Sequence, residues 1–585
     1  MKIKQIGEYN GDIMETLFKN RGIENVELLK NPDNSSDIDP FKYHNMEKGA
    51  NILAAHLLAN SEIGILVDSD ADGFTSASVM YQYIKRVQPS SPVSYFLHDV
   101  RTHGLTDYIM DKVSTSSIDL LIIPDAGSND KAQIDKLHHM GIDVIIVDHH
   151  TIEEPSENCI LINNQSYNNE ESNRNLTGVG MVYKFCQAID KILKVEESHN
   201  FYDLIAIGQI GDVSDISENE VRNLVFKGLN NIQSPFVKAA LKECFPDGIE
   251  KIAPKDLSFS IIPMINATIR VGNSEERNNL FKAMAQIDTD QVFEVVKRKK
   301  NRTTGKFDKF DVKQTIFEYA VDGCKRARGR QNSLVKKVMA HIHTNIYNEG
   351  SVAIGVLEEE SHRSVSGLVA NKISSEYSKP SLIIFKDEEK GSYFGSGRGN
   401  EKVLPSLRKW CHNTNLVEFA SGHDNAFGIG VSEENFENFV EETKKVEAVE
   451  FYHNVDIHLK GKIDKEAILE VNKNKQLFGG KFHDPLFAFT EVKVNKAYVR
   501  RRGSVLTFFH EGVEFISFGT PEHVFDELTQ NFDTHLTMSF VGRPGENSWG
   551  SKKTPQLVLT AFEKCENAEK QEESQVEITE ENIVF

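Results

Sequence analysis

Ile63-Gly64-Ile65-Leu66-Val67-Asp68-Ser69-Asp70-Ala71-Asp72-Gly73 decides the fold: an apolar run that breaks off in three carboxylates at alternate positions. Two further runs end in a similar way. Leu120-Leu121-Ile122-Ile123-Pro124 is followed by Asp125, and Val144-Ile145-Ile146-Val147 by Asp148-His149-His150. Each run is short and aliphatic, which suits a strand covered on both faces, and the intervals are long enough for crossover helices. The pattern predicts a parallel sheet, in which functional side chains gather at the carboxyl ends of the strands. Asp68, Asp70, Asp72, Asp125, Asp148, His149 and His150 then converge on one rim. So many titratable groups in one crevice require a counter-charge, because like charges a few ångströms apart repel strongly where water is scarce. An oxygen-rich set with one or two imidazoles suits manganese or magnesium better than a structural zinc. Helix capping accounts for single aspartates, but neither for the alternating triplet nor for the His pair.

With 585 residues the chain exceeds one hydrophobic core, so three or four domains are expected. Hydrophobic content of 39% and charged content of 26% are ordinary for soluble proteins. No apolar run is long enough to cross a bilayer, and Met1-Lys2-Ile3-Lys4-Gln5 lacks the apolar core of a signal peptide, which points to the cytoplasm and away from a membrane partner. The six cysteines (Cys159, Cys186, Cys244, Cys324, Cys411 and Cys565) contain no Cys-x-x-Cys pair and read as reduced and structural. A net charge of -20 argues against nonspecific coating of nucleic acid, while leaving room for basic residues gathered in a channel.

Asp68-x-Asp70-x-Asp72-Gly73, Asp125, Asp148-His149-His150 and the later Gly208-Gln209-Ile210-Gly211-Asp212 resemble the four motifs of the DHH phosphoesterase superfamily. The resemblance is closest to RecJ-type exonucleases specific for single-stranded DNA, which act in recombination, repair or replication. It implies an α/β multidomain fold with a parallel-sheet DHH domain over residues 61–230, after a helical lead-in over 1–60. A helical connector (231–345), an α/β DHH-associated substrate-binding domain (346–440), a β-rich OB-like domain (450–565) and an acidic disordered tail (566–585) would follow. It also implies two divalent cations, Mn2+ or Mg2+, held by Asp70, Asp72, Asp125, His149 and Asp212. Asp68 would be a further ligand or a nearby base, Asp148 would orient the imidazoles, and His150 would donate to the scissile phosphate. From sequence alone Asp215 is an alternative to Asp212.

Several stretches bear on the substrate. Gly73-Phe74-Thr75-Ser76 starts a helix whose N–H groups face anions at the rim. Arg101-Thr102-His103-Gly104-Leu105 reads as a phosphate-contacting loop or a plain solvent turn. Ile262-Pro263-Met264-Ile265-Asn266-Ala267-Thr268-Ile269-Arg270 resembles a family signature and implies a DNA-backbone contact from Arg270, with Met264 where an arginine is usual. Gly395-Ser396-Gly397-Arg398-Gly399, read as a Gly-rich turn, and Ser421-Gly422-His423-Asp424-Asn425-Ala426-Phe427-Gly428 resemble the anion-binding endings of the DHH-associated domain. They imply that Ser396 and Arg398 hold a terminal 5' phosphate and that His423 lies near the metals; Gly399, Ser421 and Phe427 depart from the usual pattern. The basic run Lys297-Arg298-Lys299-Lys300-Asn301-Arg302 is either a DNA-tracking surface or a solvated face. Aromatics alternate with arginines around Tyr498-Val499-Arg500 and Phe508-Phe509, which suits base stacking.

The expected activity is hydrolysis of single-stranded DNA from 5' to 3'. The last residues, Glu580-Glu581-Asn582-Ile583-Val584-Phe585, resemble the tip of single-strand-binding proteins, so such a protein or another replication or recombination factor is an expected partner beside DNA. Two alternatives are a phosphoesterase for short oligonucleotides or cyclic dinucleotides and a replication scaffold without metals. The connector and OB-like segments weigh against the first, the intact acidic motifs against the second.

Overall fold

The computed structural model describes residues 1–565 except 250, 301–304, 306, 447–450, 521, 531–533, 550 and 551. The acidic tail and its tip therefore lie outside the described residues, as do Asn301 and Arg302 of the basic run. The chain divides into two compact units, Asn31–Glu450 with Gly479–Phe482, and Met1–Lys30 with Phe451–Phe478 and the residues from His483 onward.

The larger unit opens on the expected parallel sheet. Strands β1 (Ile63–Val67), β2 (Val93–Leu97), β3 (Leu120–Pro124), β4 (Asp143–Asp148) and β5 (Ile160–Asn163) lie in the order β2-β1-β3-β4-β5, every neighbour parallel. Every residue of β1 and β3 is buried, as a sheet covered on both faces requires. One face packs Leu66, Phe96, Leu121, Ile123, Val144 and Ile146 against Ile109, Ile134 and Leu137 of two crossover helices. The other side carries α1 (Ala71–Val87), α2 (Gly178–Leu193) and α3 (Tyr202–Gly211), which pack on one another.

A bundle follows, with α4 (Ile261–Val271) and α5 (Ser274–Met284) packed on the 27-residue α6 (Ile316–Ile342). The stretch 231–345, expected to be helical, also holds a hairpin of β6 (Val292–Lys300) and β7 (Phe307–Thr315). The physical reason is local: Phe293, Val295 and Lys297 alternate with outward residues, a period of two that the run of charges obscures.

The end of the unit is a six-stranded mixed sheet. Its strands are β8 (Ala353–Leu357), β9 (Ser381–Asp387), β10 (Ser392–Arg398), β11 (Phe419–His423) and β12 (Ala426–Ser432), in the order β11-β12-β10-β9-β8 with Ile346–Tyr347 at the edge. Helix α7 (Ser366–Tyr377) packs on β9 and β10. Gly395-Ser396-Gly397-Arg398 is therefore strand, not turn. A Cβ on Gly395 would sit 2.0 Å from the Ile383 carbonyl and one on Gly397 2.6 Å from the Phe427 ring, so the glycines admit a neighbouring strand and a buried phenylalanine.

In the smaller unit Ile3–Gln5 runs parallel to His453–Val455. This pairing takes the first thirty residues out of the lead-in expected over 1–60, which reduces to the stretch around the helix Met46–Ala59. The remainder is β-rich, with seven strands in one mixed sheet against the five of an OB barrel. Phe508, Phe515 and Phe540 are buried there, Phe515 stacked on Phe540 at 4.4 Å, so of the aromatics expected to stack on bases Phe508 forms core, while Tyr498 and Phe509 remain exposed. Arg21 forks onto Asp456 with two 2.8 Å bonds, and Asp456 also accepts the Leu486 N–H. The Asp456 side chain is 3% exposed, so Arg21→Ala strands a buried carboxylate; the expected loss is about 3 kcal/mol, read as a lower urea midpoint by circular dichroism. An unchanged midpoint would count against the clamp.

Candidate metal centre

The carboxyl ends of β1, β3 and β4 bring the expected side chains to one rim. Asp125 ends β3 in the left-handed region, φ 65°, which a non-glycine residue adopts only where its surroundings hold it. Its Oδ1 is buried without a hydrogen-bond partner and lies 3.2 Å from His149 Nε2. The same nitrogen is 3.7 Å from Asp212 Oδ2 and 3.9 Å from Asp72 Oδ2. Two ligands at right angles around a small divalent ion, each about 2.1 Å from it, are about 3 Å apart, so these acceptors stand at ligand spacing. Burial holds the His149 imidazole below its usual range and hence neutral, the form that ligates.

Three glycines make this crowding possible. A Cβ on Gly178 would sit 2.2 Å from Asp125 Oδ1, one on Gly208 2.4 Å from Asp72 Oδ1, and one on Gly73 2.7 Å from Asp68 Cβ. Asp72 is held by the N-terminus of α2: it accepts from Gly178 N at 2.7 Å, Val179 N at 3.1 Å and Thr177 Oγ1 at 3.0 Å. Burial, then the charges of Asp212 and Asp70, still push its carboxyl up to about 8. Burial likewise raises Asp125, with Asp72 and Asp70 adding to it, and raises Asp212. Asp70 caps α1 through Gly73 N at 2.9 Å, so capping and membership of the cluster coexist in one residue.

Asp148 is fully committed: it accepts from Ser128 Oγ at 2.6 Å and His149 N at 2.7 Å, and bonds His150 Nδ1 at 2.8 Å. Ser128 is in turn held by Asn163 at 2.9 Å. Burial disfavours a charged His150, but the bond to Asp148 and its charge outweigh this and raise the imidazole to about 10. The exposed part of that ring is a fixed cationic donor at the crevice. Asp215 instead accepts from Ser217 N and Oγ, which leaves Asp212 as the residue near His149.

Asp68 has a partner that sequence reasoning did not assign to the cluster. His103 Nδ1 lies 2.5 Å from Asp68 Oδ2, Gly104 N donates to Asp68 Oδ1 at 3.0 Å, and His98 Nε2 is 4.0 Å away. Burial opposes ionisation of Asp68, but the His103 charge and bond prevail and hold it low. Asp68, Asp70 and His103 offer ligand atoms within 4.8 Å of one another. The signal was the loop Arg101–Leu105 itself, which the sequence reads as a phosphate contact or a plain solvent turn.

Positive charge reaches the acids through Arg270, which feels Asp70. Burial lowers Arg270 to about 10, with Arg101 and Arg398 adding to the shift and Asp70 opposing it; burial and then Arg101 also lower Arg398. The three guanidiniums therefore lie close enough to repel one another. Gly367, at the start of α7, leaves room for Arg398, since a Cβ there would be 2.5 Å from Nη2. Ser396 Oγ bonds Ser366 Oγ at 2.9 Å. Strand alternation places Ser396 and Arg398 on one face of β10, and the charge of His423, at the end of β11, reaches Asp212. Met264, in place of the usual arginine, is buried in α4 and presents no charge. Phe427 is buried against Gly397.

Comparison with known proteins agrees with this geometry. The DHH family N-terminal domain matches residues 62–209. A Bacillus subtilis SPbeta prophage protein named as a single-strand DNA-specific exonuclease, YorK, is 34% identical, covering 98% of this chain and 100% of its own length. The chain belongs to the DHH family and is of the RecJ type. RecJ of Haemophilus influenzae is 25% identical over 74% of this chain and 73% of its own. Among solved structures, Thermus thermophilus RecJ in complex with Mn2+ superposes with a TM-score of 0.71 at 19% identity, covering 97% of this chain and 79% of that one.

Carboxyls raised by crowding carry a stability contribution that is complete below pH 4 and is lost as pH rises through their folded values, about 8 for Asp72. Metal-free protein is therefore expected to melt progressively lower from pH 6 to 8.5, and millimolar Mn2+ to reverse the loss. Gly178→Ala should remove most of that Mn2+ shift in melting temperature. A full shift in the variant would show that Asp125 is not part of the ion's seat.

Proposed function

We propose that this RecJ-type chain is a metal-dependent exonuclease that degrades single-stranded DNA from its 5' end. The observation that carries the reading is the gathering of Asp72, Asp125 and Asp212 around His149 Nε2 at 3.2 to 3.9 Å, and Arg270, near enough to feel the charges of Asp70, Arg101 and Arg398, adds to it. An orphaned buried oxygen on Asp125 and a neutral His149 fit divalent cations, and Asp70, Asp72, Asp125, His149 and Asp212 are the residues that would hold two Mn2+ or Mg2+, with Asp68 and His103 beside them. When bound, the cations supply Lewis-acid stabilisation of the attacked phosphate and a more acidic water.

The chain's own groups do the rest. The N-terminus of α2 fixes the Asp72 carboxylate, so the seat does not rearrange during turnover. Asp148 keeps His150 protonated and aimed, ready to donate to a phosphate oxygen as charge builds there. Arg398 and Ser396, with Arg101 and Arg270, form an anion pocket for the terminal 5' phosphate, since guanidiniums grip phosphate bidentately. A strand anchored by that phosphate presents its first internal linkage to the rim, which gives the 5' to 3' polarity. All six cysteines are free, and among the described residues no helix is long and apolar enough to cross a membrane, which supports a cytoplasmic location. A single-strand-binding protein remains the partner suggested by the tail.

Asp125→Ala is expected to lower turnover of 5'-labelled single strands by at least a thousandfold while leaving DNA affinity within about threefold, and undiminished turnover would refute the metal seat. Arg398→Ala should reduce cleavage of 5'-phosphorylated strands about tenfold more than of 5'-hydroxyl strands. Equal losses on the two substrates would remove the end pocket.

A further inference from the structure

Between α5 and α6 the hairpin β6–β7 stands apart from the site described above. Its strands pair antiparallel over nine residues each, Val292 opposite Thr315 and Lys300 opposite Phe307, and among the described residues no third strand joins them. Such a ribbon is marginal by itself, and its attachment is one-sided. Phe293 stacks on Tyr319 of α6 at 4.1 Å, Lys297 pairs with Asp322 at 3.0 Å, and the buried Gln314 donates to Asp322. The alternate positions form an open face on which Val292 is 57%, Val296 58% and Phe307 64% exposed.

Charge on that face is uneven. Near the base, Glu294 faces Lys313 at 3.9 Å. Further out Arg298 lies directly opposite Lys309, both exposed, and among the described residues neither has a carboxylate within ion-pair distance. Like charges in directly opposed positions of an antiparallel pair destabilise it, so this end of the ribbon is built at a cost that an anion would remove. In a chain of net charge -20, two cations without an ion-pair partner among the described residues sit beside an exposed phenyl ring on Phe307, and the next carboxylate on that face is Asp311, opposite Val296. Phosphates answer the first feature and unstacked bases the second. Single-stranded DNA offers both, whereas a duplex keeps its bases stacked.

We propose that the β6–β7 ribbon is a second contact for the single-stranded substrate, holding its backbone on Arg298 and Lys309 and a base on Phe307, away from the metal crevice. The inference rests on the exonuclease reading above and adds to it a determinant of substrate length. The ribbon comes after α5, whose last residue, Met284, accepts a bond from Gln82, about three turns along α1 from the acidic end, or about 16 Å. On this proposal a long strand engages both contacts and a trinucleotide only the metal centre.

The test compares the full-length parent with R298A/K309A and with Phe307→Ala, all on the surface and outside the cluster. Cleavage of 5'-phosphorylated dT3 and dT30 is measured with Mn2+, and binding of labelled dT30 and of a 30-base-pair duplex is measured in EDTA across salt concentrations. For R298A/K309A, kcat/KM on dT30 should fall about tenfold through KM with dT3 within twofold, and the salt slope of dT30 binding should drop by about 1.4, or 0.7 per lost phosphate contact. Phe307→Ala should weaken dT30 binding about fivefold or more and leave duplex binding unchanged. Parental behaviour on dT30, an equal loss on dT3 and dT30, or an equal loss on duplex and single strand each overturns the proposal. If the parent cleaves no single strand, the exonuclease reading fails and the EDTA binding arm alone decides the ribbon.

Discussion

Electrostatic crowding at the carboxyl ends of three buried strands is the constraint on which the larger unit is built. Asp72, Asp125 and Asp212 are pressed within a few ångströms of the His149 nitrogen, in a setting that penalises every one of their charges. Such an arrangement persists only where the backbone holds it and where protons or a cation offset the charge. The holding is visible: Asp125 in a left-handed conformation, glycines at 178 and 208 where any side chain would strike a carboxylate, and a helix N-terminus bonded to Asp72. Packing that ordinarily serves stability here serves the geometry of acceptors.

Much of this was legible in the residues. Apolar runs ending in Asp68-x-Asp70-x-Asp72, Asp125 and Asp148-His149-His150 fix both the sheet and its functional edge, because strand burial and the topology of parallel sheets leave few alternatives. The residues alone leave Asp215 beside Asp212, the family resemblance favours Asp212, and the structure puts Asp212 near His149 while Asp215 accepts from Ser217. His103 escaped assignment because its partner, Asp68, is thirty-five residues away and loops carry no periodicity. Arg101 was legible only as part of a loop that reads equally as a phosphate contact or a solvent turn.

The second half was harder to read, for two separate reasons. Glycines at 395 and 397 signal a turn in isolation, yet they sit in a strand because neighbouring strands and Phe427 need the space a side chain would take. In the stretch before α6, the dense charge of residues 297 to 300 masks the alternation that makes β6 a strand. The N-terminal strand Ile3–Gln5 is the clearest case of information held elsewhere, since three residues form a strand only because His453–Val455 is there to pair with. Short elements take their structure from distant partners, and no local pattern announces them.

The proposed function depends on the crowded acceptors seating divalent ions, two of them on the reading above. Titrating metal-free protein with Mn2+ and recording electron paramagnetic resonance tests it most directly. The expected result is two Mn2+ bound per chain with the exchange-coupled spectrum of a ligand-bridged pair. Binding of a single uncoupled ion, or of none at millimolar Mn2+, would contradict it.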